Sequence, residues 1–127
     1  MKYKPHNYQE YARNFIEQND ISALILDMGL GKTVITLTAI RNLIIKRKIS
    51  KVLVIGPIRV CLSTWPDEIA KWDHLHDLTY QIAIGTEKQR KEALKKDADI
   101  HIINRENVEW LVNKSGIPLD YDMIVID

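Results

Sequence analysis

The chain has 127 residues, of which 46% are hydrophobic and 28% charged, and its formal net charge is +1. That length suits one globular domain with a single core and excludes a disordered or fibrous chain. The near-neutral balance excludes a global basic field, so any nucleic-acid contact has to come from a local patch. The one cysteine, Cys61, rules out an internal disulfide and points to a reducing compartment. With no base beside it, Cys61 reads as a small buried hydrophobe. No apolar run approaches a membrane span, and no signal-peptide core follows the first residues.

From Asn7 to Gln18, the apolar residues Tyr8, Tyr11, Ala12, Phe15 and Ile16 recur at spacings of three and four, which predicts a helix with Asn7 as its cap. An apolar run, Ile21 to Leu26, then enters Asp27-Met28-Gly29-Leu30-Gly31-Lys32-Thr33. A run with helical spacing leaves it, through Val34, Ile35, Leu37, Ile40, Leu43 and Ile44. Strand, glycine-rich loop and helix form the context of a phosphate-binding loop. Backbone N–H groups converge there on a polyphosphate, and the helix points its positive dipole end at it. Gly29 and Gly31 let the chain turn sharply and approach the anion. Lys32 reaches the terminal phosphates, and the Thr33 hydroxyl is placed for Mg²⁺. The loop departs from the general pattern at its first glycine, which is Leu26 here.

The helix is expected to run to about Lys46, with Lys46, Arg47 and Lys48 in its last turn against the dipole. Lys51 to Pro57 is a β-branched run closed by Gly56 and Pro57, as for a strand buried on both faces. Ser63 or Thr64 is expected to cap the next helix, with Pro66 in its first turn and Trp65, Ile69 and Trp72 on one face. Asp73-His74-Leu75-His76-Asp77 lacks metal-ligand spacing and reads as a polar turn. Thr79 to Ile84 is a third strand, and Thr86 to Lys96 is a charged helix with Ala93 and Leu94 inward. A fourth strand spans Asp99 to Ile103, a helix Glu106 to Val112, and a fifth strand Asp122 to Asp127. Alternating strands and helices predict an α/β fold with a parallel sheet covered on both faces. Four apolar residues ending in Asp127 match the strand whose terminal acid holds Mg²⁺ in a triphosphate site. A central apolar strand rarely closes a domain, so the fold is expected to be incomplete at its C-terminal end.

Tyr8-Gln9, Asp27 to Thr33, Ile55-Gly56-Pro57 with Trp65, Glu68, Ile69 and Trp72, Ile102-Ile103-Asn104, and Ile124 to Asp127 follow one another in an order that is similar to a known family. The chain resembles the first RecA-like lobe of the Swi/Snf-type ATPases of helicase superfamily two. The resemblance implies a three-layer RecA-like fold with about five strands, residues 1–127 forming one lobe. It implies ATP and Mg²⁺ as cofactors, and double-stranded DNA as the track along which hydrolysis moves the whole protein. By the same resemblance, Tyr8 and Gln9 read adenine. Met28, Gly29, Leu30, Gly31, Lys32 and Thr33 hold phosphate. Thr33 and Asp127 hold the metal, with Lys32 and Asp127 the catalytic pair. Arg59, Ser63, Thr64, Asn104 and Arg105 meet the DNA backbone. The implied location is the cytoplasm of a microbial or viral system.

The family's glutamate after Asp127 and its second lobe, which brings arginines to the transition state, are not in this sequence. The 127 residues alone are therefore expected to bind nucleotide and hydrolyse it negligibly. In this family a later strand lies between the phosphate-loop strand and the Asp127 strand. A vacant slot is thus expected between them, closed by rearrangement or by self-association through an open edge. Two other readings fit the loop: a non-catalytic nucleotide-binding or interaction module, and a small P-loop kinase, for which an arginine-rich lid is missing.

Overall fold

A computed structural model describes residues 22–25 and 32–127, with the backbone alone for 22–25 and Lys32. The predicted helix from Asn7 to Gln18 lies outside the described residues. The strands are β1 (Ser22–Ile25), β2 (Val52–Gly56), β3 (Tyr80–Ile82), β4 (Ile100–Asn104) and β5 (Met123–Ile126). They form one sheet in the order β1-β5-β2-β4-β3, and every pairing is parallel. The helices are α1 (Lys32–Ile45), α2 (Trp65–Lys71), α3 (Glu87–Lys95) and α4 (Val108–Asn113).

The apolar runs of β2, β4 and β5 are explained by a sheet with two buried faces. Val52, Val54, Ile100, Ile102, Met123 and Val125 face a core shared with Leu37 and Ile40 of α1 and Trp65 and Ile69 of α2. The alternate residues Leu53, Ile55, Ile103, Ile124 and Ile126 face the other core, with Ala93, Leu94, Val108 and Leu111 of α3 and α4. Helix, sheet and helix thus make three layers, as expected. Burying each such aliphatic side chain is worth about 1.5–3 kcal/mol. β3, at an edge, is only half-buried.

β1 sits directly against β5, from Ser22 opposite Met123 to Ile25 opposite Ile126. The expected slot is therefore closed by these two strands pairing with each other. Ladder groups left unpaired inside apolar strands cost about 1–3 kcal/mol each, and direct pairing removes that cost.

Two helix ends differ from expectation. α1 stops at Ile45, and its last turn holds no basic residue. The Lys48 N–H donates to Leu43 O at 2.9 Å and the Arg47 N–H to Ile44 O at 3.0 Å, with Arg47 left-handed at φ 57°. That pair of bonds is a Schellman cap, so the basic cluster follows the helix instead of filling its last turn. Nor do Ser63 or Thr64 cap the helix after β2. Residues 58–71 are continuously helical, starting with Cys61 N–H to Pro57 O at 3.0 Å, and Val60–Thr64 form a π-turn. Thr64 is helical and makes no capping bond, while Ser63 Oγ donates back to Arg59 O at 2.8 Å. Pro66 has no N–H to give, and the wide turn just before it displaces the bonding ladder there. The predicted caps failed because their hydroxyls turn back to the preceding turn or stay in helical geometry.

Elsewhere the local chemistry agrees with the sequence. Thr86 and Gln89 form a reciprocal capping box at the start of α3. The Asp73–Leu75 turn is tied down by His74 to Thr38 at 2.8 Å, His76 to Ala70 O at 2.8 Å, and Asp77 to Arg41 at 3.1 Å. Asp122 clips β2 to β5 by accepting from the Ser50 N–H at 2.7 Å and the Lys51 N–H at 3.1 Å.

His101 is a polar residue hidden in a central strand. Its Nε2–H donates to Lys96 O at 2.9 Å, and its Nδ1 accepts from the Tyr121 hydroxyl at 2.8 Å. Burial holds its pKa below the usual histidine value, against the raising effect of the Lys96 carbonyl. The unfolded chain therefore takes up a proton first as pH falls. The stability tied to neutral His101 is complete above about pH 6.5 and is lost progressively below it. Lowering the pH from about 7.5 to about 5.5 should reduce the urea midpoint more in the wild type than in His101→Leu. At the α1 cap, Arg47→Gly should raise stability by about 0.5–1 kcal/mol, read as a higher melting temperature.

Candidate functional site

In a parallel sheet the chain leaves every strand at one edge, and functional groups gather there. At that edge Gly56 ends β2 beside Asn104, which ends β4. β1 and β5 finish level, Ile25 beside Ile126. Asp127 continues the ladder one step further, its N–H donating to Ile55 O at 2.8 Å.

The Asp127 carboxylate is held by Trp65 and lies close to Gly56. The Trp65 indole Nε1–H donates to Oδ2 at 3.2 Å, and Trp65 is fully buried. A Cβ added at Gly56 would meet Asp127 Cβ at 3.2 Å and Oδ2 at 3.6 Å. Glycine at position 56 thus leaves room for this close approach, since a Cβ there would make Asp127 shift by a few tenths of an ångström. Burial lifts the Asp127 pKa above the usual carboxylate value, opposed by the Trp65 hydrogen bond and by Arg105.

Cys61 anchors the π-turn over this edge. Its Sγ lies 3.5 Å from Gly56 O and 3.4 Å from Ile103 O, so the turn is fastened to the ends of β2 and β4. Burial pushes the thiol up to about 12, and nearby Asp127 and Glu106 add to the rise.

The predicted residues distribute as follows. Tyr8, Gln9, Met28, Gly29, Leu30 and Gly31 lie outside the described residues. Lys32 opens α1, and Thr33 is buried in its first turn. Arg59, Ser63 and Thr64 are exposed at and within the π-turn, and Arg105 is half-buried. Asn104 is buried, its Nδ2 donating to Glu106 Oε2 at 2.9 Å while its Oδ1 accepts from Asn107 Nδ2 at 2.7 Å. Its side chain shapes the turn that carries Arg105. Trp65, Gly56 and Cys61 were read from the sequence as core or breaker residues. The one available signal was Trp65, since a buried indole N–H needs an acceptor.

Thr33 and Asp127 each carry oxygen donors, the type that suits a hard cation such as Mg²⁺. Among the described residues no cluster of three or more His, Cys, Asp or Glu could hold a metal by itself.

The SNF2-related domain model matches residues 8–127. The chain belongs to this family. Its place is with the Swi/Snf-type, helicase-like ATPases of superfamily two. Putative protein p41 of Acyrthosiphon pisum secondary endosymbiont phage 1 is 39% identical over 127 residues, covering 98% of this chain and 28% of p41. Among solved structures, the Sulfolobus solfataricus SWI2/SNF2 ATPase core in complex with dsDNA matches with a TM-score of 0.63 at 24% identity, over 100% of this chain and 26% of that one. At that identity the match speaks for the fold, which is RecA-like. A nuclease-deletion mutant of the Type ISP restriction-modification enzyme LlaGI, in complex with a DNA substrate mimic, has a TM-score of 0.47 at 20% identity, over 99% of this chain and 15% of that one. The chain spans about a quarter of the length of the relative and of the archaeal core. Among the described residues no helix is long and apolar enough to cross a membrane.

With its thiol buried and held protonated, Cys61 should resist labelling. A thiol reagent at about pH 8 should leave native Cys61 unmodified over hours and modify it within minutes in urea.

Proposed function

We propose that this chain is the nucleotide-binding first lobe of a DNA-dependent ATPase that uses ATP hydrolysis to move along double-stranded DNA. One observation carries this reading. β1 and β5 finish level, so Asp127 stands at the sheet edge where β1 ends, and the next described element, α1, opens with Lys32 and Thr33. That strand order supports a reading in which two motifs far apart in the chain act together.

In this reading Tyr8 and Gln9 recognise adenine, since a side-chain amide can donate and accept at once. Residues Met28 to Gly31 turn their N–H groups to the phosphates, and Lys32 adds a point charge. Thr33 and Asp127 hold Mg²⁺, which neutralises charge developing on the transferred phosphoryl. Asp127 is kept in place by Trp65, and the lack of a side chain at Gly56 leaves room for it. Arg59, Ser63 and Thr64 meet DNA phosphates together with Arg105, on the turn that Asn104 shapes; such contacts position the duplex without reading sequence.

The 127 residues by themselves bind nucleotide and turn it over negligibly. An arginine supplied to the transition state is worth on the order of a thousandfold or more in rate, and in this reading it comes from a second lobe. Calorimetric titration with ATP and Mg²⁺ should give saturable heat for the wild type. Lys32→Ala should weaken binding about a hundredfold, the loss of one strong charge-assisted contact of about 2–3 kcal/mol. Equal heats from the two proteins would place the site elsewhere.

A further inference from the structure

We propose that Trp65 is the positioning residue for Asp127: its buried indole N–H fixes one carboxylate oxygen and so sets the orientation in which the acid meets the metal of a bound nucleotide. The inference rests on the nucleotide-binding reading above and adds to it a residue outside the phosphate-loop and acidic motifs.

The geometry is specific. Trp65 is fully buried, so its N–H has to find a partner inside the protein. The partner it has is Asp127 Oδ2, at 3.2 Å. Oδ2 also lies against the side of Gly56 where a Cβ would come within 3.6 Å. A carboxylate at a strand end can otherwise rotate freely about its last bond, and a pinned oxygen removes that freedom. Groups that orient a metal ligand in this way commonly govern metal affinity about tenfold to a hundredfold.

The placement of Trp65 is itself explained by the chain. Its backbone N–H closes the π-turn by donating to Val60 O, and Cys61 in that turn is fastened to the ends of β2 and β4. The indole therefore reaches Asp127 from a helix locked to the same sheet edge. That helix also carries Arg59, Ser63 and Thr64 on its exposed side, so a displacement of those residues would be passed to the carboxylate.

The test begins without nucleotide. The chain has three tryptophans; Trp72→Phe and Trp110→Phe each identify one indole N–H resonance by its disappearance, which leaves the third as that of Trp65. In Asp127→Ala that resonance should move upfield while those of Trp72 and Trp110 stay in place. An unmoved Trp65 resonance overturns the inference, and this arm holds even if Trp65→Phe does not fold. Mg²⁺ is then titrated at fixed ATP. Trp65→Phe should raise the Mg²⁺ needed for half-maximal tightening of ATP binding about tenfold, leaving metal-free ATP affinity unchanged. Equal weakening with and without Mg²⁺ would reduce Trp65 to a packing role and overturn it. ATP binding insensitive to Lys32→Ala would overturn it through its premise; the nucleotide-free resonance shift would still appear, so the two failures are told apart.

Discussion

A parallel sheet buried on both faces leaves polar chemistry few places to go. β2, β4 and β5 are buried along their whole length, and a polar group inside such a layer has to be fully partnered or it is costly. His101 meets that condition through Tyr121 and the Lys96 carbonyl. Among the described residues of the proposed site, Thr33 stands where a helix begins, and Asn104, Arg105 and Asp127 stand where strands end. The sheet that supplies the stability thereby leaves its strand ends to polar groups.

At that edge the strand order matters more than any single residue. Asp127 and the first turn of α1 are separated by most of the chain, yet β1 pairs directly with β5 and their last residues are level. A parallel arrangement sends both chain ends the same way, so Asp127 and the end of β1 share one edge without any loop having to reach across. Family membership and the RecA-like fold agree with this arrangement.

Much of this was legible in the residues. The apolar runs within Lys51–Pro57, Asp99–Ile103 and Asp122–Asp127 read as strands, and the charged stretch from Thr86 to Lys96 read as the helix that became α3. What stayed hidden depended on partners distant in sequence. Ser63 and Thr64 look like caps, but the helix had already begun after Pro57, and a π-turn has no simple residue signature. Arg47 occupies a left-handed position that glycine usually fills, so nothing in its type marked the end of α1. Trp65 had the spacing of a core residue and is one; that its edge also touches Asp127 depends on a contact across 62 positions of the chain. The direct pairing of β1 with β5 was hidden for the same reason, because strand order is a property of the whole sheet.

The π-turn has a further effect on angular phase. An α-helix advances about 100° per residue, and the extra residue accommodated in Val60–Thr64 offsets everything after it by about that amount. Shortening the segment by one residue would give a more regular helix and would swing the indole round to another face, away from the acid. What looks like an irregularity in the coil therefore serves as a setting of rotation, and the regular form would be the misaligned one.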